Sequence, residues 1–318
     1  MKDQLQQVDK LEVVVLVDNY SDELIEDTPV AKRLRAPSPH AVMAEPGLSF
    51  LIKVCNGGRS QTILMDGGIS GICLAHNISL LLKSSAVKEK MVTADIREVS
   101  AVVLSHGHSD HFNGLKTFYQ MSQKKILLIV HPLASVKRRL KVLSGSNETM
   151  VPFDEAEFEN LGAIIEKRAQ ASLTASDSIL VSGSIERTNN FEKGSDSLQA
   201  KINGKWIVDP FEDDQSIAVH VRNKGLVILS GCSHAGILNS VAHLKKISGI
   251  DKVHAILGGF HLPDSASWIT QQTLRGIKEI APEYIVPMHC TGWETIQLFS
   301  SQMPGQFILN SVGTTYIF

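Results

Sequence analysis

Short apolar runs, each closed by turn residues, recur along the whole chain: "LEVVVLVDN", "LSFLIKVCNGG", "QTILMDGG", "VSAVVLSHGH", "KKILLIVHP", "SIAVHVRNKG", "GLVILSGCSH", "VHAILGGFH", "EYIVPMHCTG" and "FILNSVGTTYIF". Their β-branched content and Gly, Asn and Pro boundaries read as strands. Several are continuously apolar, the pattern of strands covered on both faces. Helical spacing falls between them, over 70–87, 112–123, 133–143, 235–248 and 267–280. The first third is mostly strand and turn, and the rest interleaves strands with helices. This order predicts an α/β fold with two sheets face to face and helices outside, a four-layer αββα sandwich. We read 1–318 as one domain. Within it 144–200, richer in Ser, Glu and Asn around a possible strand "SILVSGSI", reads as a loop-rich insertion or lid that shapes substrate selectivity.

Hydrophobic residues at 43% and charged residues at 20% are those of a globular protein with a sizeable core. A net charge of -2 leaves no broad basic surface for phosphate backbones, so nucleic acid is not expected as a partner. The one basic run, "VKRRLKVL", reads as a solvated helix face. No stretch reaches the ~18 apolar residues of a membrane span, and the opening is too charged and its apolar run too short for a secretory signal. Cys55, Cys73, Cys232 and Cys290 are too irregularly spaced for a disulfide framework. A cytoplasmic protein with a small-molecule substrate is the expectation. Nothing in the sequence sets an oligomeric state.

Chemistry enters at 105–111, "SHGHSDH", which holds three of the chain's 12 histidines and an aspartate. No secondary structure calls for His106, His108 and His111 together with Asp110; a shared ligand does. Side chains two apart in extended backbone point the same way, so His106 and His108 can face one metal ion. Asp110 and His111, turning into a helix, can serve a second. Nitrogen and carboxylate donors suit zinc, iron or manganese better than calcium or magnesium. His234 and Cys232 in "SGCSHAG", His261 in "GGFHL" and His289 in "VPMHCTG" also sit where strands end. His131 in "LLIVHP" does too and is a further candidate, whereas His40, His76, His220, His243 and His254 read as structural.

"HGHSDH" after an apolar strand resembles the metal-binding motif of the metallo-β-lactamase superfamily, and "TILMDGG" resembles its strand ending in aspartate and glycine. "GLVILSGCSHAGI", "HAILGGFHL" and "VPMHCTG" resemble a narrower group, the relatives of dihydropterin-ribofuranosylaminobenzene phosphate synthase. The resemblance runs from about 11 to 318 and is weakest across 144–200. It implies the metallo-β-lactamase fold and a centre of two divalent ions, with zinc favoured and manganese or iron as alternatives. His106, His108 and His234 would hold one ion, and Asp110, His111 and His289 the other. Asp66 would support them from outside, and Asp110 would be the catalytic carboxylate. His261, Cys232, Asn19, Tyr20 and Glu45 become candidate substrate contacts. Many members carry a further histidine before the "VILSG" strand and an aspartate at its end; here Cys232 stands at that end, and Glu212, Asp213 or Asp214 is left to supply an acidic ligand. The implied activity is metal-dependent hydrolysis of an ester-like, possibly phosphoester, bond in a small anionic metabolite. A synthase joining a dihydropterin precursor to an aminobenzene ribofuranosyl phosphate is one alternative, and a non-catalytic metal-binding sensor another.

Overall fold

The computed structural model describes residues 4–35, 40–83, 93–141, 147–264 and 266–318. Two sheets form its centre. One has eight strands, in the order Ala163–Lys167, Ile126–Val130, Val99–Val103, Arg59–Met65, Ser49–Asn56, Lys10–Val17, Thr315–Ile317 and Ala31–Lys32. The other runs Ser172–Thr174, Ile179–Val181, Ser216–Val221, Gly225–Ser230, Val253–Gly259 and Tyr284–Met288, with Gln7–Val8 paired to Ser216–Val221.

The continuous apolar runs are explained by period-two alternation in strands covered on both sides. Val13, Val15, Phe50, Ile52, Ile63, Met65 and Val103 point inward and meet Val219, Val227, Leu229, Ala255 and Leu257 of the facing sheet. Their neighbours Val14, Leu51, Leu64, Val102 and Leu128 point outward, into a second core containing Leu74, Leu81, Leu115 and Phe118. Those four belong to the helices Gly71–Lys83 and Leu115–Ser122. On the far side Ile228, Ile256 and Ile285 pack with Val241 and Leu244 of Ile237–Ser248, Leu274 and Ile277 of Trp268–Ile280, and Phe299 of Trp293–Gln302. The four layers expected of the sequence are therefore present. No helix among the described residues is long and apolar enough to cross a membrane.

Three segments differ from the expected pattern. The helix expected over 133–143 is a turn followed by the strand Arg138–Lys141, which pairs with Leu198–Ile202 in a four-stranded sheet; residues 142 and 143 lie outside the described residues. Burial of Arg138 between two carboxylates fixes that strand, so its basic run is not a solvated helix face. The helix predicted over 70–87 is described as Gly71–Lys83, and 84–87 lie outside the described residues. Within 144–200, whose residues 144–146 also lie outside them, Ala163–Lys167 edges the eight-stranded sheet and Ser172–Thr174 the seven-stranded one. This stretch thus contributes to both central layers, and it adds a short helix, Glu155–Asn160, capped by the Asp154 carboxylate.

Candidate metal centre

The ends of adjacent strands build the site. Beyond Val99–Val103 the chain bends through Gly107, where any Cβ would meet the Ala134 carbonyl oxygen at 1.9 Å, and enters the short helix Ser109–Phe112. His108 keeps extended backbone (φ -89°, ψ 142°) just before that helix. From the facing sheet, the ends of Gly225–Ser230, Val253–Gly259 and Tyr284–Met288 deliver Cys232 and His234, His261, and His289. Asp66, Ser233, His261 and His289 all adopt left-handed backbone, with φ of 60°, 55°, 47° and 53°. Such conformations are costly for side-chain-bearing residues and gather where function over-determines the backbone.

These turns bring the predicted donors into two groups. The ligand atoms of His106, His108 and His234 lie within 4.8 Å of one another, and so do those of Asp110, His111 and His289. Asp110 Oδ2 is 3.8 Å from His111 Nε2 and 3.5 Å from His289 Nε2. Cys232 joins the groups, its Sγ 3.1 Å from His111 Nε2 and 3.3 Å from His289 Nε2. His106 Nε2, His108 Nε2 and both ring nitrogens of His234 are buried with no hydrogen-bond partner among the described residues. Unpaired buried polar atoms are rare and costly; here they converge, as ligands of a cation do.

An outer layer turns the rings. His111 Nδ1 lies 2.7 Å from Asp66 Oδ2, so its N–H donates outward. The Ser105 hydroxyl donates to Asp66 Oδ2 at 2.7 Å and lies 3.0 Å from His106 Nδ1, whose N–H it can accept. In their neutral forms both imidazoles then turn Nε2 toward the centre, the arrangement that orients histidine ligands. Asp66 thus stands behind the His111 ring and the Ser105 hydroxyl, on the side away from the donor cluster.

Charge fits the same use. Burial pushes His106 and His234 well below the usual histidine value and His108 down to about 3, so all three rings are neutral donors at pH 7. Burial also disfavours charge on His111, but the Asp110 and Asp66 carboxylates outweigh it and push this ring up to about 9, so a metal ion bound here would take the place of its proton. Burial would raise Asp110, yet His111, His289 and His108 hold it below its ordinary value. With its side chain 29% exposed, Asp110 is the cluster's acidic contact with solvent.

The other candidates occupy distinct places. His261 forms a further donor group with Cys232 and His234, its ring 4.4 Å from that of His234 and its Nδ1 buried without a partner among the described residues. Asn19 donates its amide to the His289 carbonyl at 2.9 Å, and Tyr20 stacks on Trp293. Glu45 accepts from the Ser70 amide and hydroxyl at 2.8 and 2.6 Å and is in none of the donor groups. His131 is not in them either; its Nε2 lies 2.9 Å from Ser184 Oγ.

Residues 61–175 match a family model described as a beta-lactamase superfamily domain. The 7,8-dihydropterin-6-methyl-4-(beta-D-ribofuranosyl)-aminobenzene-5'-phosphate synthase of Methanocaldococcus jannaschii is 31% identical over 274 residues, which cover 83% of this chain and 87% of the synthase. The chain belongs to the metallo-β-lactamase superfamily, in that synthase's group. An uncharacterized protein of the same organism is 28% identical over 270 residues, 85% of this chain and 92% of its own. Among solved structures, Tm1679, described as a metal-dependent hydrolase of the beta-lactamase superfamily, has a TM-score of 0.70 at 21% identity, covering 96% of this chain and 98% of that one.

In this superfamily member the Cys232 sulfur, and none of the three acidic candidates, stands among the imidazoles. Glu212 is exposed to solvent. Asp213 is buried and committed to Arg138 Nη2 at 2.6 Å and the Gly107 amide at 2.9 Å. Asp214 accepts from the Ala235 amide at 2.8 Å, and burial pushes its carboxyl up to about 7. None of the three joins a donor group, whereas Cys232 groups with His106 and His111, with His234 and His261, and with His289 and Cys290. Sequence reasoning missed Arg138, hidden in a basic run, and Ser105, whose hydroxyl gives no signal apart from its place beside His106.

Proposed function

We propose that this chain is a dinuclear metal-dependent hydrolase of an ester-like, most simply phosphoester, bond in a small anionic metabolite. The observation that supports it best is the pairing of Asp110, His111 and His289 beside the unpartnered nitrogens of His106, His108 and His234. We assign one ion to His106, His108 and His234 and the other to Asp110, His111 and His289, and Cys232 would offer a sulfur donor to the centre. Zinc suits this nitrogen and sulfur set, and manganese or iron are the alternatives. The ions would supply Lewis acidity and activate water near neutral pH. Asp110, anionic and open to solvent, orients the attacking water and takes its proton. Asp66 and Ser105 hold the His111 and His106 rings in the donor tautomer.

Turnover of bis-p-nitrophenyl phosphate by protein reconstituted with zinc, and separately with manganese, tests this reading. We expect Asp110→Asn to lower the rate by about 10²–10⁴-fold; equal rates in the variant and the wild type would remove Asp110 from its role. The synthase is the second reading, favoured by 31% identity across most of both chains. Condensation of a dihydropterin precursor with the aminobenzene ribofuranosyl phosphate, without phosphodiester turnover, would place the chain there.

A further inference from the structure

Two free thiols meet at the donor cluster although the sheet keeps their strands apart. Cys232 follows Gly225–Ser230 and Cys290 follows Tyr284–Met288, and Val253–Gly259 runs between those strands, pairing Ser230 with Gly258 and Gly259 with Met288. Two strand spacings, roughly 9.5 Å, separate the outer pair. The gap closes over Gly259, where any Cβ would lie 2.7 Å from Cys290 Sγ. With no side chain there, both sulfurs and a His289 ring nitrogen lie within 4.8 Å of one another, and the Cys290 thiol donates to the Cys232 carbonyl at 3.6 Å.

The two thiols differ in access and in task. Cys232 is buried against the His111 and His289 nitrogens, whereas Cys290 is half-buried and belongs to neither of the ion sets assigned above. A partly exposed thiol beside a second that can resolve it is the arrangement of oxidation-sensitive cysteines. A disulfide bond is about 2 Å long, so rotation of two side chains has a separation of at most 4.8 Å to close. Cys55, in the strand Ser49–Asn56, and Cys73, in the helix Gly71–Lys83, belong to no such group.

We propose that Cys232 and Cys290 form an oxidation-sensitive pair whose disulfide and a metal ion on Cys232 exclude each other. A peroxide is the oxidant. The Cys290 sulfur attacks one oxygen of hydrogen peroxide, giving a sulfenic acid and water. The Cys232 sulfur then displaces the sulfenic oxygen, which leaves with its own proton and that of Cys232 as a second water. Two thiols and one hydrogen peroxide thus become one disulfide and two waters. Once in that bond, the Cys232 sulfur has no thiolate to offer a cation; conversely, a bound cation holds the thiolate and leaves Cys290 without a resolving partner. The exclusion rests on Cys232 as a metal donor in the function proposed above; the thiol pair does not.

Hydrogen peroxide added to EDTA-stripped and to zinc-loaded protein, followed by alkylation in denaturant and peptide mass spectrometry, tests this. We expect a linked Cys232–Cys290 peptide in the stripped wild type, reversed by dithiothreitol, and no such link in zinc-loaded protein over the same time. Cys290→Ser should form no link to Cys232. The oxidised protein should bind zinc about 10–100-fold more weakly than the reduced protein. No link in the stripped wild type, or links scrambled onto Cys55 and Cys73, would overturn the pair. A link formed equally fast in protein that still holds its zinc would overturn the exclusion. Failure of the hydrolytic reading looks different: phosphodiester turnover is absent while the link and its suppression by zinc are unchanged.

Discussion

A thiol buried at a strand end is ordinarily packing. Cys232 departs from that because two imidazole nitrogens lie within 3.3 Å of its sulfur and burial pushes the thiol pKa up, so it ionises only if a cation meets it. Losing a residue that merely orients a metal ligand costs about 10–100-fold in metal affinity, and Cys232→Ala should cost at least that much. Cys232→Asp should restore part of it with an oxygen donor. Zinc retained per chain after dialysis, measured by mass spectrometry, decides; full retention by Cys232→Ala would make the thiol packing after all. His131 illustrates the opposite outcome, a strand-end histidine that is structural. Burial holds it down at about 4, its Nδ1 accepts from the Leu133 amide at 3.2 Å, and it is therefore neutral when folded. The unfolded chain, with an ordinary histidine near 6.5, binds the proton first. Stability from this residue is thus complete above about pH 6.5 and is lost as pH falls toward 4. Denaturant titrations across that range should show a shallower acid loss in His131→Gln, and parallel curves would refute it. Position at a strand end was visible in the sequence for both residues. What lies across the gap, two imidazoles for one and Ser184 for the other, depends on the tertiary fold.

At the scale of elements, the loop that carries His106 and His108 is held by a strand in a different sheet. Arg138, in Arg138–Lys141, donates to Asp209 at 2.7 Å and to Asp213 at 2.6 Å, and Asp213 in turn accepts from the Gly107 amide at 2.9 Å. All three charged side chains are buried. Removing the cation leaves two buried carboxylates uncompensated, a loss of about 3–5 kcal/mol for a broken buried pair. Arg138→Met should therefore destabilise the fold in urea and lower zinc retention as the Gly107 corner loosens. Arg138→Met with Asp213→Asn should recover part of the stability, and simple additivity of the two losses would show that the pair is not coupled. Strands whose two faces are both buried were legible as apolar runs, and the helices Ile237–Ser248 and Trp268–Ile280 as apolar spacing. Arg138–Lys141 was not, because "VKRRL" has the composition of a solvated helix face and only its distant partners Asp209 and Asp213 make a strand of it.

Across the whole molecule, the donors come from both halves of the sandwich. His106, His108, Asp110 and His111 follow the eight-stranded sheet, whereas Cys232, His234 and His289 follow the seven-stranded one. Any ion held by both sets ties the two sheets together at the strand-end edge of the core they share. Bound only by the folded chain, it stabilises by mass action, about 2.7 kcal/mol at a free concentration one hundred times its dissociation constant. For a chain of 318 residues, with an unfolding entropy of about 2.1 cal/mol/K per residue, that corresponds to a fall of roughly 4 °C in Tm when the ion is stripped. We expect calorimetric scans of zinc-loaded wild type to show such a fall on adding EDTA. The His106→Ala/His108→Ala variant, which under this assignment loses two ligands of one of the two ions, should show a smaller fall with the chelator than the wild type does. Equal melting of loaded and stripped wild type, with zinc content measured in each, would mean that the two sheets meet through their apolar faces alone and that the histidines do not join them through a metal.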